Sequence, residues 1–401
     1  MKLRALIFWP HLIAGVVAGL VILIMSVTGV ILTYERQLIS WSNSHLKSTP
    51  PAADAMRMPV ESLLAAARQQ KPDVQITGIT VGSASDATAV LATGDGDLHI
   101  DLYSGRVLGA GATGMRQFMS DLRVWHRYLG VAGDNRPLAK SITGWSNFIF
   151  AFIVLSGLYL WFPRQWAWRK VRPVVLFKGG LRGKARDFNW HNVIGMWSAV
   201  PLFIVVVSAV PISFRWANDA VYHAVGEQPP PARGGGAGRE GGPARPEGRQ
   251  GGGAPPAVAQ LDGLNDVWAR AERQVPGWRT INLRLPQSNS APLAFAIDRG
   301  DGGQPHLRST LTLDRKSGHV VSYEDFSTLS TGRRIRNVMR FAHTGEVLGI
   351  PGQTIAGLVS LGGVVLVWTG IALALRRLLA WRARGRARTA ETERSQDATA
   401  A

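Results

Sequence analysis

The sequence predicts an α-helical membrane protein: four transmembrane helices built as a duplicated two-span unit, each unit carrying a small α+β domain outside the membrane. Three observations lead there. Four uncharged runs, 12–34, 142–162, 192–214 and 347–375, each reach the roughly 20 residues a helix needs to cross a bilayer. The first and third runs align without a gap: "HLIAGVVAGLVILIMSVTGV" (11–30) over "HNVIGMWSAVPLFIVVVSAV" (191–210) places His11 on His191, Gly15 on Gly195 and Thr28 on Ser208. The segments after those two runs repeat one pattern of helix, strands and Ser-Gly turn.

The elements follow in order. Residues 1–36 form the first span. "TYERQLISW" follows it instead of a small-residue cleavage site, so it reads as a retained helix. Residues 55–112 form the first outside domain. In "PVESLLAAARQQKPDVQITGITV" (59–81), Leu63, Leu64 and Ala67 give a helix its apolar side, Pro72 stops it and strand-type alternation begins. "LHIDLYSGRVLG" (98–109) is two short strands around a turn in which Gly105 supplies positive φ. Residues 114–164 hold an amphipathic helix and the second span. Phe118, Leu122 and Leu129 form one stripe, joined by His126. Residues 165–186 are a basic loop, and 187–225 contain the third span.

Residues 226–257 hold eleven Gly and seven Pro, which predicts a disordered linker without a core. Residues 258–328 repeat the outside domain, with "AQLDGLNDVWARAERQVPGWRTINLRL" (259–285) and "STLTLDRKSGHVVS" (309–322), where Gly318 takes the turn. Residues 332–380 hold the second amphipathic helix, with Ile335, Met339 and His343 on one stripe, and the fourth span; 381–401 are a tail.

Charge sets the topology. The net charge is +18. Residues 164–186 carry eight Lys/Arg and no acid, and 376–388 carry six Arg, whereas 35–141 balance eleven Lys/Arg against ten acids. The positive-inside rule puts both termini and 164–186 in the cytoplasm, with 35–141 and 215–346 outside. In a bacterium this is an inner-membrane protein with periplasmic domains. The basic runs fit topology and contact with the lipid bilayer, not nucleic acid. There is no cysteine, which excludes disulfides, iron–sulfur clusters and thioether-attached haem.

Of nine histidines, His45, His99, His306 and His319 read as ordinary surface residues, and His223 has no counterpart in the first half. The other four form two pairs. His11 and His191 start the first and third spans on the cytoplasmic side; His126 and His343 precede the second and fourth on the periplasmic side. Ionisable groups at membrane depth are costly and are functional candidates. No adjacent acids complete a zinc site, and Met25 and Met196 are not placed symmetrically for copper. A b-type haem needs two axial imidazoles from different helices and an apolar slot. Gly15 and Gly195, one turn past their histidines, suit such a slot, and Arg127, Arg186 and Arg340 lie close enough in sequence to pair with propionates. Two haem b groups, held without covalent attachment by His11/His191 and His126/His343, would carry electrons across the membrane. Trp125, Trp161, Trp190, Trp197 and Trp368 read as interfacial belt residues.

On "HLIAGVVAGLVILIMSVTGVIL", "LYSGRVLG", "SDLRVWHRYLG", "HNVIGMWSAVPLFIVVVSA" and "MRFAHTGEVLGIPG", the chain resembles the PepSY-associated transmembrane helix family over most of 5–380, the linker excepted. The resemblance implies four spans, periplasmic PepSY domains and, for some members, di-haem reduction of ferric siderophores. It places His11, His126, His191 and His343 at the haem-ligand positions. The expected enzyme is a membrane ferric reductase. Its partners are a ferric siderophore or other periplasmic iron complex and an electron donor, which is a separate reductase, a free reduced carrier or quinol, since the cytoplasmic segments contain no nucleotide-binding loop. The alternatives are a PepSY-type regulator of proteases without haem, and a haem b subunit exchanging electrons with quinone or a partner reductase. The long Gly/Pro linker departs from the family pattern.

Overall fold

The computed structural model describes residues 2–52, 54–163, 165–231, 262–286 and 291–400. The predicted linker 226–257 lies outside the described residues from 232 onward. In chain order the helices and strands are α1 (Lys2–Leu32), α2 (Glu35–Ser42), α3 (Val60–Gln70), β1 (Ile76–Gly82), β2 (Thr88–Thr93), β3 (Gly96–Asp101), β4 (Val107–Ala110), α4 (Thr113–Tyr128), α5 (Arg136–Trp161), α6 (Trp168–Val175) and α7 (Gly183–Ser208). There follow α8 (Val210–Ser213), α9 (Arg215–His223), α10 (Leu264–Gln274), β5 (Thr280–Arg284), β6 (Leu293–Asp298), β7 (Arg308–Leu313), β8 (Val320–Asp325), α11 (Thr331–His343) and α12 (Gly349–Ala400). The chain divides into two units. One contains Met1–Glu35, Phe118–Ala217 and Met339–Ala401; the other contains Arg36–Gln117 and Asn218–Val338.

The first unit is a helix bundle. Among the described residues, four stretches are long and apolar enough to cross a membrane: Leu3–Leu32, Gly133–Trp161, Gly183–Ser213 and Glu346–Arg386. The chain is a membrane protein. α1 and α7 each pack on both α5 and α12, so α1 and α7 stand on opposite corners of the bundle. Ala18, Ile22, Phe150, Leu202, Val206 and Val359 fill its centre. Small residues bring the helices close: a side chain at Gly19 would meet Ile371, and one at Gly362 would meet Ile194. Asn147 of α5 donates to the Val206 carbonyl of α7 at 2.9 Å. The third span is not one continuous helix. α7 stops at Ser208 and α8 begins at Val210, because Pro211 has no N–H to continue the ladder.

The second unit is one antiparallel sheet of eight strands, ordered β4-β3-β2-β1-β5-β6-β7-β8. Sequence reading placed two domains at 55–112 and 258–328. Their strands instead join through the β1–β5 pair, in which Ile79 lies opposite Leu283. Each four-strand half brings one helix, α3 or α10, to the same core, where Leu64, Ile79, Leu91, Trp268, Leu283 and Phe295 are buried. The two helices cap each other. The Glu61 N–H donates to Asn265 Oδ1 and the Asn265 N–H to Glu61 Oε1, both at 3.0 Å, satisfying donors that a helix N-terminus leaves free. The predicted Ser-Gly turns are present, with Gly105 at φ +69° and Gly318 at φ +67°, conformations open to a residue without a Cβ. Asp101 and Asp314 hold these turns by accepting from the N–H groups of Ser104 and Ser317, each at 2.8 Å.

Two predicted details change. In α4 the buried residues are Met119 and Tyr128, while Phe118 is 47% exposed. The helix ends before Leu129, which takes φ +53°. In α11, Ile335 is exposed and Arg336 is buried, its Nε donating to Asn218 Oδ1 at 2.7 Å. Met119 and Arg336 each lie seven residues, two turns, before the histidine of their helix, next to the predicted stripes.

Candidate functional site: four histidines on two levels

Each of the four histidines is held by its Nδ1. His11 on α1 reaches Ser156 Oγ on α5 at 2.9 Å. His191 on α7 reaches Thr369 Oγ1 on α12 at 2.9 Å. His126 on α4 reaches Thr28 Oγ1 on α1 at 2.9 Å. His343 on α11 reaches the Val205 carbonyl of α7 at 2.9 Å.

These contacts assign the tautomers. A carbonyl oxygen only accepts, so His343 carries its proton on Nδ1. The three hydroxyls each have one proton and also touch a carbonyl one turn back in their own helix: Ser156 to Phe152, Thr369 to Val365 and Thr28 to Ile24, all at 2.7 Å. A 2.7 Å oxygen pair is a hydrogen bond that uses that proton. Each histidine must then donate from Nδ1–H, and its Nε2 lone pair is left to bind something else. A metal-ligating histidine has this arrangement, with its second nitrogen donating to a neighbouring oxygen.

Glycine follows each hydroxyl. A Cβ on Gly157 would lie 3.2 Å from His11 Cε1, one on Gly370 3.4 Å from His191 Cε1, and one on Gly29 3.5 Å from His126 Cε1. The Ser/Thr–Gly dipeptides 28–29, 156–157 and 369–370 therefore take both the nitrogen and the flank of an imidazole. The fourth place differs. "SA" at 208–209 stands where the others have Ser/Thr–Gly. There the end of α7 releases a carbonyl: the Ala209 N–H bonds to Val206 O at 3.3 Å, leaving Val205 O to accept from His343 and from Ser208 Oγ–H, the latter at 2.9 Å.

The histidines fall on two levels. His126 and His343 come together, with ring centroids 6.1 Å apart and planes inclined by 54°. His11 and His191 stand on the opposite corners α1 and α7. At 1.5 Å per residue, His11 and Thr28 are about 26 Å apart along α1, and His191 and Val205 about 21 Å along α7.

One of the two pairs, His126 and His343, has the spacing that ligation of a haem would require. A first-row metal–imidazole bond is about 2.0 Å, and a ring centroid lies about 1.1 Å behind its nitrogen, so two axial imidazoles on one iron put their centroids about 6 Å apart. The His126–His343 spacing matches. A Cβ on Gly15 would meet nothing within 4 Å, so open space lies one turn from His11. Gly195 is less open, with Leu366 Cδ2 3.5 Å from its Cβ position. Among the described residues no three His, Asp or Glu side chains gather to hold a bare metal ion.

The arginines and tryptophans are more committed than the sequence suggested. Arg186 pairs with Asp187 at 2.9 Å and lies over Trp190 and Trp368, at 5.6 and 5.3 Å from the ring centroids. Asp187, with its side chain 1% exposed, also binds Arg376 of α12. Asp187 has no place among the sequence candidates, although it is the acid that directly follows the basic run 164–186 and sits one turn before His191. Trp161 and Trp197 donate to the Val174 and Val175 carbonyls of α6 at 3.1 and 2.9 Å, which anchors the basic loop to α5 and α7. Arg127 stacks on Tyr128 and Arg340 on Phe341, at 5.5 and 5.3 Å.

A family model for the PepSY-associated TM region matches residues 8–377. The chain belongs to this family. The PepSY-associated match takes in the second and third spans, most of the first and fourth, and the four histidines with their oxygen partners. No curated protein matches the chain.

Two further histidines have clear places in the sheet unit. His223 ends α9 and is exposed. His99 corrects the surface reading: it lies on β3, 5% exposed, with Nδ1 2.7 Å from Thr88 Oγ1.

Proposed function

We propose that this PepSY-associated protein moves electrons across the bacterial inner membrane through two non-covalent haem b groups and reduces a periplasmic ferric complex, a ferric siderophore or similar. The observation that carries this reading is the set of four imidazoles with Nδ1 bonded and Nε2 left over, two of them at axial-ligand spacing. His126 and His343 would hold one haem, and His11 and His191 the other. Bound there, haem supplies reversible one-electron chemistry at iron.

The chain's own residues prepare both places. Ser156, Thr369, Thr28 and Val205 O orient the rings. Gly157, Gly370 and Gly29 leave room for them. The apolar bundle excludes water, and Arg186 and Arg376 neutralise the buried Asp187 beside His191. Each histidine bonds within its own half: α1 to α5 and α4 to α1, then α7 to α12 and α11 to α7. This supports the duplicated two-span reading. The basic loop 164–186 and the arginines after 375 support cytoplasmic termini and a periplasmic sheet unit. The electron donor would be a cytoplasmic reductase or quinol. Reduction releases iron because ferrous iron binds hard oxygen ligands less tightly than ferric iron.

Oxidised and reduced absorption spectra of the purified full chain, with a pyridine haemochrome count, test the reading. Two haems per chain are expected. A chain purified from haem-replete cells with no Soret band would sink the proposal and leave a regulatory PepSY role.

A further inference from the structure

We infer that Ser156, Thr369 and Thr28 are positioning residues that choose which nitrogen each histidine offers, and that Ser/Thr–Gly is a repeated imidazole cradle in this fold. The inference rests on the haem reading for its redox consequence, but its tautomer consequence does not depend on haem.

A histidine between apolar helices could donate from either nitrogen, and the two tautomers present opposite edges to the space between spans. Each hydroxyl removes that choice. It spends its proton on the carbonyl one turn back, at 2.7 Å, and accepts from Nδ1–H at 2.9 Å. This geometry makes it an acceptor only. A chain of two hydrogen bonds polarises its members, so the carbonyl–hydroxyl link strengthens the hydroxyl–imidazole link. The glycine after the hydroxyl fixes the remaining freedom by letting Cε1 lie against the neighbouring backbone, 3.2–3.5 Å from where a Cβ would stand. Hydrogen bonding at Nδ1 also makes Nε2 a stronger donor, which favours the oxidised metal. Removing the bond should therefore raise the reduction potential.

The same argument explains the exception. At 208–209 there is no glycine, and Ser208 turns its proton on Val205 O. That carbonyl is free because α7 breaks before Pro211, and it takes the acceptor role itself. The two His-bearing levels thus differ: His11 and His191 both lean on hydroxyls, whereas the other level pairs a hydroxyl with a carbonyl.

Thr369→Val keeps the shape of the side chain and removes the acceptor; Thr369→Ser is the conservative rescue. Two measurements on the full chain decide. With haem withheld and histidine labelled with nitrogen-15, NMR should show His11, His126, His191 and His343 protonated at Nδ1 in the parent. Thr369→Val should turn one of them to a mixture, and Thr369→Ser should restore it. No change in Thr369→Val overturns the inference, as does a signal that Ser fails to restore, which would mean that shape alone matters. With haem bound, potentiometric titration should show one centre of Thr369→Val shifted upward, by threefold to tenfold in its oxidised-to-reduced equilibrium (tenfold is about 59 mV for one electron). An unmoved potential with two haems bound rejects the inference and leaves the electron-transfer reading standing. Absence of haem from the parent rejects that reading, and the NMR result still settles the tautomers.

Discussion

His126 and His343 face each other with ring centroids 6.1 Å apart, although 217 residues separate them and each is tied at Nδ1 to a different span. Two ligands of one metal act as a unit, so their losses are not additive. His126→Ala and His343→Ala should each lower the haemochrome count from two haems per chain to one, and the double variant should stay at one. His191→Ala combined with His343→Ala should fall to none. A double variant at 126 and 343 with less haem than either single one would break the pairing.

The glycines beside the rings give a steric test. Gly157→Val and Gly370→Val place branched side chains where Cβ alone would already be 3.2 Å from His11 and 3.4 Å from His191. Each should remove the haem held by His11 and His191 and spare the other, read as half the haemochrome. The displaced bundle should be destabilised by about 1–3 kcal/mol, the usual cost of overpacking, measured by thermal unfolding in detergent.

Ser208 competes with His343 for one carbonyl. Ser208→Ala should leave Val205 O to the histidine alone, strengthen that bond and lower the potential of the His126/His343 centre. This is opposite in sign to the shift expected for Thr369→Val, and a single potentiometric series compares the two.

Asp187 joins α7 to α12 through Arg376. Only Asp187 is buried, and Arg186 pairs with it as well, so losing Arg376 leaves a carboxylate with one partner and losing Asp187 leaves two partly exposed arginines without theirs. Asp187→Asn and Arg376→Gln should each lower Tm by several degrees. A double-mutant cycle should return a coupling energy within about 0.5–3 kcal/mol. Additive effects would show that the pair is decorative.

His99 predicts a pH response of the sheet unit. Burial lowers its pKa below 6.5; Asp97 opposes this shift, while Arg116 and His45 reinforce it. The unfolded chain therefore takes up a proton at a higher pH than the folded one. The stability from neutral, buried His99 is fully present above about pH 6.5 and is lost as pH falls through the lower folded value. Tm of the sheet unit should fall between pH 7 and 5, and His99→Leu should flatten that slope.

The spans, the matching positions of His11 and His191 and the Ser-Gly turns were legible because each has a local signal: a long uncharged run, a gap-free internal repeat, a glycine at a turn. The partners of the histidines were harder to read. Ser156 and Thr369 look like ordinary small polar residues in membrane helices, and only the recurrence of Ser/Thr–Gly in three spans marks them. The Val205 carbonyl has no side-chain signature; it becomes available through the helix break before Pro211. His99 looked exposed because its neighbours Asp97 and Asp101 are polar. Strand pairing buries it, as sheet register depends on residues far away in the chain.

The union of β1 with β5 places a constraint on how the protein is made. β1 (Ile76–Gly82) emerges long before β5 (Thr280–Arg284), and α5 and α7 must be synthesised in between. Until then β1 presents an unpaired backbone edge, the kind of edge that invites wrong partners. Completion of the sheet also waits on contacts about two hundred residues apart, which are slow to form. The eight strands can close into one sheet only when the segments that follow the first and third spans lie on the same side of the bilayer.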